Sequence, residues 1–305
     1  MIKNHSLEPE AALPAQITFE AETLAQTASV PIPPQPGLLL DLRRTALDAR
    51  SNADAVAKLV SRDVAVSAAV MRCANSAFFG LRAKVCSIRH AISVLGATNV
   101  INIVASVCFK SSVNEAGNVP LPRYWDTATA VADATAYLAK RLGGVTSDVG
   151  YTAGLFLDCG IALLAQRYPE YKAVLREANA ASAEKFTQIE DRHLKTNHAV
   201  IGYLVSRAWG LPEAVREAIR SHHDAEEFLC RESVRSRQVD TLIALLKLAE
   251  HIEAVFSKRK EQSEWERIHP LVLEHLGLSE PDYADIRDDL VELLNEGASA
   301  EAALA

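Results

Sequence analysis

Nearly every segment of this chain repeats its apolar residues at helical spacing, with Ala and Leu abundant and runs of β-branched residues short. A 3.6-residue period gives a helix one buried face and denies the segment the alternation that a half-buried strand needs. The chain therefore reads as all-α, a multi-helix bundle whose short connections keep successive helices in contact. Hydrophobic residues fill 49% of the 305 positions, enough to bury a sizeable core in one large domain or two smaller ones.

Caps and breakers set the expected boundaries. Residues 1–16 read as a loose tail, and ITFEAETLAQ (17–26) as a short helix. PIPPQPG (31–37) follows as an extended connector, because its four prolines cannot continue a helix. LLLDLRRTAL comes next, then SNADAVAKLV opened by Ser51 or Asn52, and DVAVSAAVMRCANSAFFG opened by Asp63. SIRHAISVLG has Ser87 as its N-cap and Gly96 as a left-handed stop, and ATNVINIVASVCF restarts on Thr98. The stretch 111–122, SSVNEAGNVPLP, gathers Asn, Gly and Pro and marks the best boundary between two subdomains. Helices are expected beyond it at 123–142, 147–166, 168–181, 184–196, 198–209, 212–223, 233–257, 264–276 and 280–295. The resulting division is 17–115 for an N-terminal helical subdomain, 120–257 for a second one, 258–297 for C-terminal helices and 298–305 for a tail.

Several function classes lose support at this stage. A net charge of -7 lacks the basic excess that phosphate neutralisation requires, so no nucleic-acid partner is expected. The N-terminus MIKNHSLEPE lacks an apolar leader core and no apolar run approaches the ~20 residues of a bilayer span, so no membrane partner is expected. Five scattered cysteines with no CxxC pair fit small buried fillers in a reducing cytoplasm. GxxxxGK[ST], GxGxxG and GxSxG are all missing, which removes support for a P-loop, a dinucleotide fold or a serine hydrolase.

Two passages carry a family resemblance. VSRDVAVSAAVMRCANSAFFG with VCSIRHAISVLGATNVINIV is marked by Asn75-Ser76, Ser87-Ile88, Ala91-Ile92 and Leu95-Gly96. It resembles the N-terminal half of the HDOD (HD-related output domain) family. YWDTATAVADATAYLAKRLG, YTAGLFLDCGIALLA and NHAVIGYLVSRAWGLPEAVREAIRSHHD look like that family's degenerate HD phosphohydrolase half. The resemblance covers about residues 20–255. It implies a bacterial signalling module that works through a protein partner, without catalysis and without a cofactor. The alternatives are a metal-dependent phosphohydrolase or cyclic-dinucleotide phosphodiesterase holding Fe, Mn or Zn, and a nucleotide-sensing protein.

An HD site holds its metal with a histidine, a His-Asp doublet and a distant acid, since imidazole and carboxylate ligands are what a hydrolytic ion needs. By the resemblance, the first histidine falls at Thr127, and the doublet reads Leu157-Asp158, so two ligand positions are lost. A lysine that often follows becomes Ile161, and Glu250 stands at the distant acid. His198, His222 and His223 match extra histidines of the HD-GYP branch. Asp158, His198, His222, His223 and Glu250 thus form the expected vestigial polar cluster, with no catalytic residue assigned. Each also has a plainer explanation. Asp158 needs a structural partner if buried, and His198 is a first-turn residue after Asn197. The His222-His223 pair favours a helix C-terminus, and Glu250 pairs with Lys247 on a solvated face. Adjacent helix residues diverge by about 100°, so at most one of His222 and His223 is expected to face inward.

Overall fold

The computed structural model describes residues 30–48, 52–75, 84–116, 122–181, 183–230, 237–259 and 263–302. The helices among them are α1 (Gly37–Leu47), α2 (Ala53–Val60), α3 (Val64–Ala74), α4 (Ile88–Leu95), α5 (Ala97–Ala116) and α6 (Pro122–Leu142). They continue with α7 (Ser147–Phe156), α8 (Cys159–Arg167), α9 (Tyr171–Ala180), α10 (Phe186–Leu194), α11 (His198–Ala208) and α12 (Glu213–Ser221). The last are α13 (Ala225–Leu229), α14 (Arg237–Phe256), α15 (Ser263–Leu276) and α16 (Glu280–Ala302). The described residues are all-α.

The starts of these helices follow side-chain capping. Asn52 accepts from the Ala55 amide, Asp63 from Val66, Ser87 from His90 and Asn197 from Val200, each cap contributing about 1 kcal/mol. Two expected marks differ. Gly96 has φ +82 but an extended ψ of 156, so it leaves α4 outside the αL well, and α5 begins at once on Ala97 with Thr98 inside its first turn. The 111–122 boundary stretch is helical through Ala116, where α5 ends. The helix expected at 17–26, Ser51 and Ser76 lie outside the described residues. Asn75 closes α3 and reaches ten residues on, where its amide group bonds both the Val85 N–H and C=O.

Two junctions bring the segments together. Phe109 of α5 meets Trp125 of α6, Phe156 of α7 and Trp209 at the end of α11, with ring centroids 5.5–6.1 Å apart. The proline-rich segment crosses the end of α11. There Trp209 Nε1 donates to Pro33 O, Gln35 to Ala208 O and Arg43 to Trp209 O, satisfying carbonyls that the helix end leaves open. α14 runs through the centre, buried on nearly every side from Val239 to Ala254.

The expected single helix at 147–166 is a broken pair, α7 and α8, interrupted at Leu157-Asp158. By length and composition Ser147–Arg167 is apolar enough to cross a membrane, but 72% of that window is buried inside the fold. The small residues there explain the close packing. A Cβ on Gly154 would stand 2.7 Å from Ala132 Cα, and one on Gly150 2.9 Å from Thr135 O, so α7 lies directly on the α6 backbone.

His251 ties α14 to the last two helices. Its ring stacks on Trp265 at 4.2 Å and 9°, and Nε2 bonds the Tyr283 hydroxyl at 2.8 Å. Burial, then His269 and Arg287, push this imidazole down to about 4. The unfolded chain titrates at about 6.5, so the native state binds fewer protons between those values. Its contribution is complete above about pH 6.5 and is lost as pH falls toward the folded value, up to about 3 kcal/mol. Urea denaturation at pH 7.5 and 4.5 should show this loss in the wild type and a smaller one in His251→Phe. Equal losses in both would contradict it.

A candidate metal centre

The break after Phe156 places the acid. Asp158 sits at the start of α8 with φ -101 and ψ 19, yet its side chain makes no capping bond and turns instead toward the histidines. Leu157 is buried in the core. Gly160 then lets α8 touch the start of α11, since a Cβ there would be 2.1 Å from the His198 carbonyl oxygen. Asn197 caps α11 and so fixes His198 at its first position. The third element is the end of α12, which stops at Ser221 and tightens into a 3-10 turn over His222–Asp224.

That turn corrects the expectation that only one of the paired histidines faces inward. The 100° divergence assumes that the α-helix continues, whereas here the two rings stand 4.2 Å apart and both Nε2 atoms belong to one cluster with His198. Nor is the pair an exposed cation at a helix end. His222 is fully buried and His223 nearly so.

Hydrogen bonding determines which nitrogen is left over. His198 Nδ1 lies 2.6 Å from Glu190 Oε2, and its main-chain N–H donates to the same oxygen at 3.0 Å. His222 Nδ1 is 2.7 Å from the Ile219 carbonyl, and His223 Nδ1 is 3.4 Å from Glu264 Oε2. Carboxylates and carbonyls only accept, so each Nδ1 carries the hydrogen and each Nε2 presents a lone pair. Those three lone pairs converge. His198 Nε2 is 3.0 Å from His223 Nε2 and 3.3 Å from His222 Nε2, and the three ligand atoms lie within 4.8 Å of one another. Asp158 Oδ1 stands 3.5 Å from both His198 Nε2 and His222 Nε2.

Bare lone pairs at this separation repel unless a proton or a cation lies among them. Donors about 2.1 Å from a common ion are about 3.4 Å apart in tetrahedral geometry and about 3.0 Å apart in octahedral geometry. The donor set therefore fits a divalent transition metal, with each imidazole anchored on its far side as metal-bound histidines are. Asp158 keeps 30% of its side chain exposed, leaving the cluster open on that side.

The electrostatics agree with a cation-seeking pocket. Burial works to raise the Asp158 carboxyl, but His222, His198 and His223, when a proton takes the place of an ion among them, outweigh it and hold the carboxyl far below the carboxylate range. Burial works to lower His198, and Glu190 with Asp158 outweighs it, so that ring is raised. Burial, then His222 and Lys247, pushes His223 well below the ordinary imidazole value.

Of the residues singled out in the sequence, Asp158, His198, His222 and His223 are brought together. Glu250 is not in that cluster. It pairs at 3.0 Å with Lys247, which is a buried ammonium rather than part of a solvated face. Thr127 lies 3.5 Å from Glu253. Glu190, Tyr171, Glu264 and Lys247 were not anticipated. Glu190 is wholly buried and also receives the Tyr171 hydroxyl. The expectation that the chain needs no cofactor is overturned by the His198, His222 and His223 cluster, whose ligand atoms lie within 4.8 Å of one another, close enough together that they could hold a metal ion.

The all-helical fold agrees with the resemblance that the sequence carries. The HDOD domain matches residues 32–225, and the chain belongs to the HDOD family. It is 27% identical over 222 residues to an uncharacterized protein of Treponema pallidum (strain Nichols), covering 70% of this chain and 42% of that one. The chain thus spans less than half the length of the curated relative it matches. An HDOD domain protein with unknown function from Geobacter sulfurreducens shares the fold with a TM-score of 0.67 and 24% identity, over 93% of this chain and 97% of that one. A protein of Shewanella amazonensis SB2B gives 0.66 and 23%, over 90% and 95%.

Proposed function

We propose that this HDOD protein is a signalling module that binds one divalent transition-metal ion through His198, His222, His223 and Asp158 and uses it on a phosphoester. The observation that carries the reading is the convergence of three Nε2 lone pairs whose Nδ1 atoms all have acceptors. A bound divalent ion supplies Lewis acidity and an acidified water ligand. The chain's own residues do the rest. Glu190 holds the His198 ring, the Ile219 carbonyl holds His222, and the partly exposed Asp158 carboxylate marks the side from which a phosphoryl group would approach.

A second reading, a non-catalytic module that acts on a signalling partner, is favoured by Thr127 and Leu157, which offer no imidazole where the resemblance places two ligands. The two readings separate in one experiment. Protein loaded with manganese or zinc is assayed on a phosphomonoester and on cyclic dinucleotides. Turnover that needs the ion and falls at least about 100-fold in Asp158→Asn is expected. Bound ion with no turnover on either class would favour the non-catalytic module.

A further inference from the structure

The HDOD match ends at residue 225, yet the pocket has a wall that comes from beyond it. Glu264 is the second residue of α15, where a carboxylate suits the positive end of the helix dipole. Its Oε2 stands 3.4 Å from His223 Nδ1 and 3.3 Å from Lys247 Nζ. Lys247 of α14 is 4% exposed and turns its ammonium to Glu264 and Glu250 together. The order is therefore a chain of contacts: Glu250 and Lys247 on α14, Glu264 on α15, then His223 at the pocket.

Each of the other two histidines is oriented from inside the HDOD segment, His198 by Glu190 and His222 by the Ile219 carbonyl. His223 alone among the three faces an acceptor supplied by a later helix. A carboxylate in that place keeps the hydrogen on Nδ1 and the lone pair of Nε2 aimed at the other rings. Lys247 keeps the carboxylate there, because a buried ammonium loses one of its two carboxylate partners if Glu264 swings away.

We infer that α15 is a working part of the metal centre: Glu264, held by Lys247, is a positioning residue for His223, so ion binding and the docking of α15 stabilise each other. The inference rests on the metal-binding reading above. Linkage makes the effect reciprocal. Whatever factor the docked helix adds to ion affinity, the ion adds to the docking of the helix. The C-terminal helices would thereby report whether the pocket is filled, which offers a signalling protein a way to pass its state to a partner.

The test uses the full chain and zinc. Hydrogen exchange of α15 amides, followed by mass spectrometry with and without zinc, should slow several-fold on zinc addition in the wild type. Glu264→Ala should still bind one equivalent, with affinity lower by about 10- to 100-fold, and its α15 exchange should no longer respond. Glu264→Gln, which keeps an oxygen acceptor, should recover most of the affinity. Zinc bound by the wild type with α15 exchange unchanged overturns this inference alone. So does equal affinity in Glu264→Ala. Failure of the wild type to bind zinc overturns the metal reading and this inference with it. The wild-type exchange comparison needs no variant, so a poorly folded Glu264→Ala leaves the test intact.

Discussion

His198→Ala should reduce divalent-metal affinity by more than about 100-fold and destabilise the protein by about 3 kcal/mol. The first effect follows from geometry, since His198 Nε2 is the atom within 3.0–3.5 Å of both other imidazoles and of Asp158. Its removal takes away the donor that the others surround. The second follows from Glu190, which is fully buried and would lose the ring N–H that donates to it, keeping among the described residues the Tyr171 hydroxyl and one main-chain N–H. His222→Ala provides the contrast. Its Nδ1 bonds only a carbonyl, so affinity should fall comparably while stability falls less. Competition against a chromophoric chelator measures affinity, and urea denaturation of the metal-free proteins measures stability. Unchanged affinity in both variants would contradict the site.

Gly160→Ala should be nearly as damaging, although it adds one methyl group. That methyl would lie 2.1 Å from the His198 carbonyl oxygen and 2.8 Å from its carbon. These are backbone atoms, so no rotamer change relieves the overlap and α8 must move away from α11. Overpacking of this kind costs about 1–3 kcal/mol or more. Because Asp158 and His198 sit on the two sides of the contact, metal affinity should fall as well. Gly143→Ala is the control. It has φ +82 but nothing within 4 Å, so it bears backbone strain without overlap and should leave metal binding unchanged. Equal stability and affinity of Gly160→Ala and wild type would mean that the two helices are not in this contact.

The all-helical architecture was legible because helix formation depends on neighbours three and four residues apart, and Asn52, Asp63, Ser87 and Asn197 mark their helix starts by a mechanism local to the chain. The break at Asp158 was less visible. An apolar helical period runs straight through GLFLDCG, and only the meeting with His198 makes the interruption useful. His222 and His223 were misread for a related reason. Periodicity describes a helix that goes on, and this one gives way to a 3-10 turn at the decisive residues. Glu190 in FTQIEDRHL and Glu264 in SEWERIHP look like ordinary polar positions of amphipathic helices. Glu190 is buried against a histidine of the next helix and Glu264 meets His223 from a later one, contacts that leave no trace in the local pattern. Lys247 beside Glu250 likewise fits the spacing of a surface ion pair, and only the central place of α14 makes it a buried one.

X-ray absorption at the zinc edge of the loaded chain probes the ligand shell itself. Three imidazole nitrogens at about 2.0–2.1 Å with oxygen completing the shell is the expected result, and the imidazole signal should drop in His198→Ala. A shell of oxygen alone, or one containing sulfur, would contradict a metal centre built from His198, His222, His223 and Asp158.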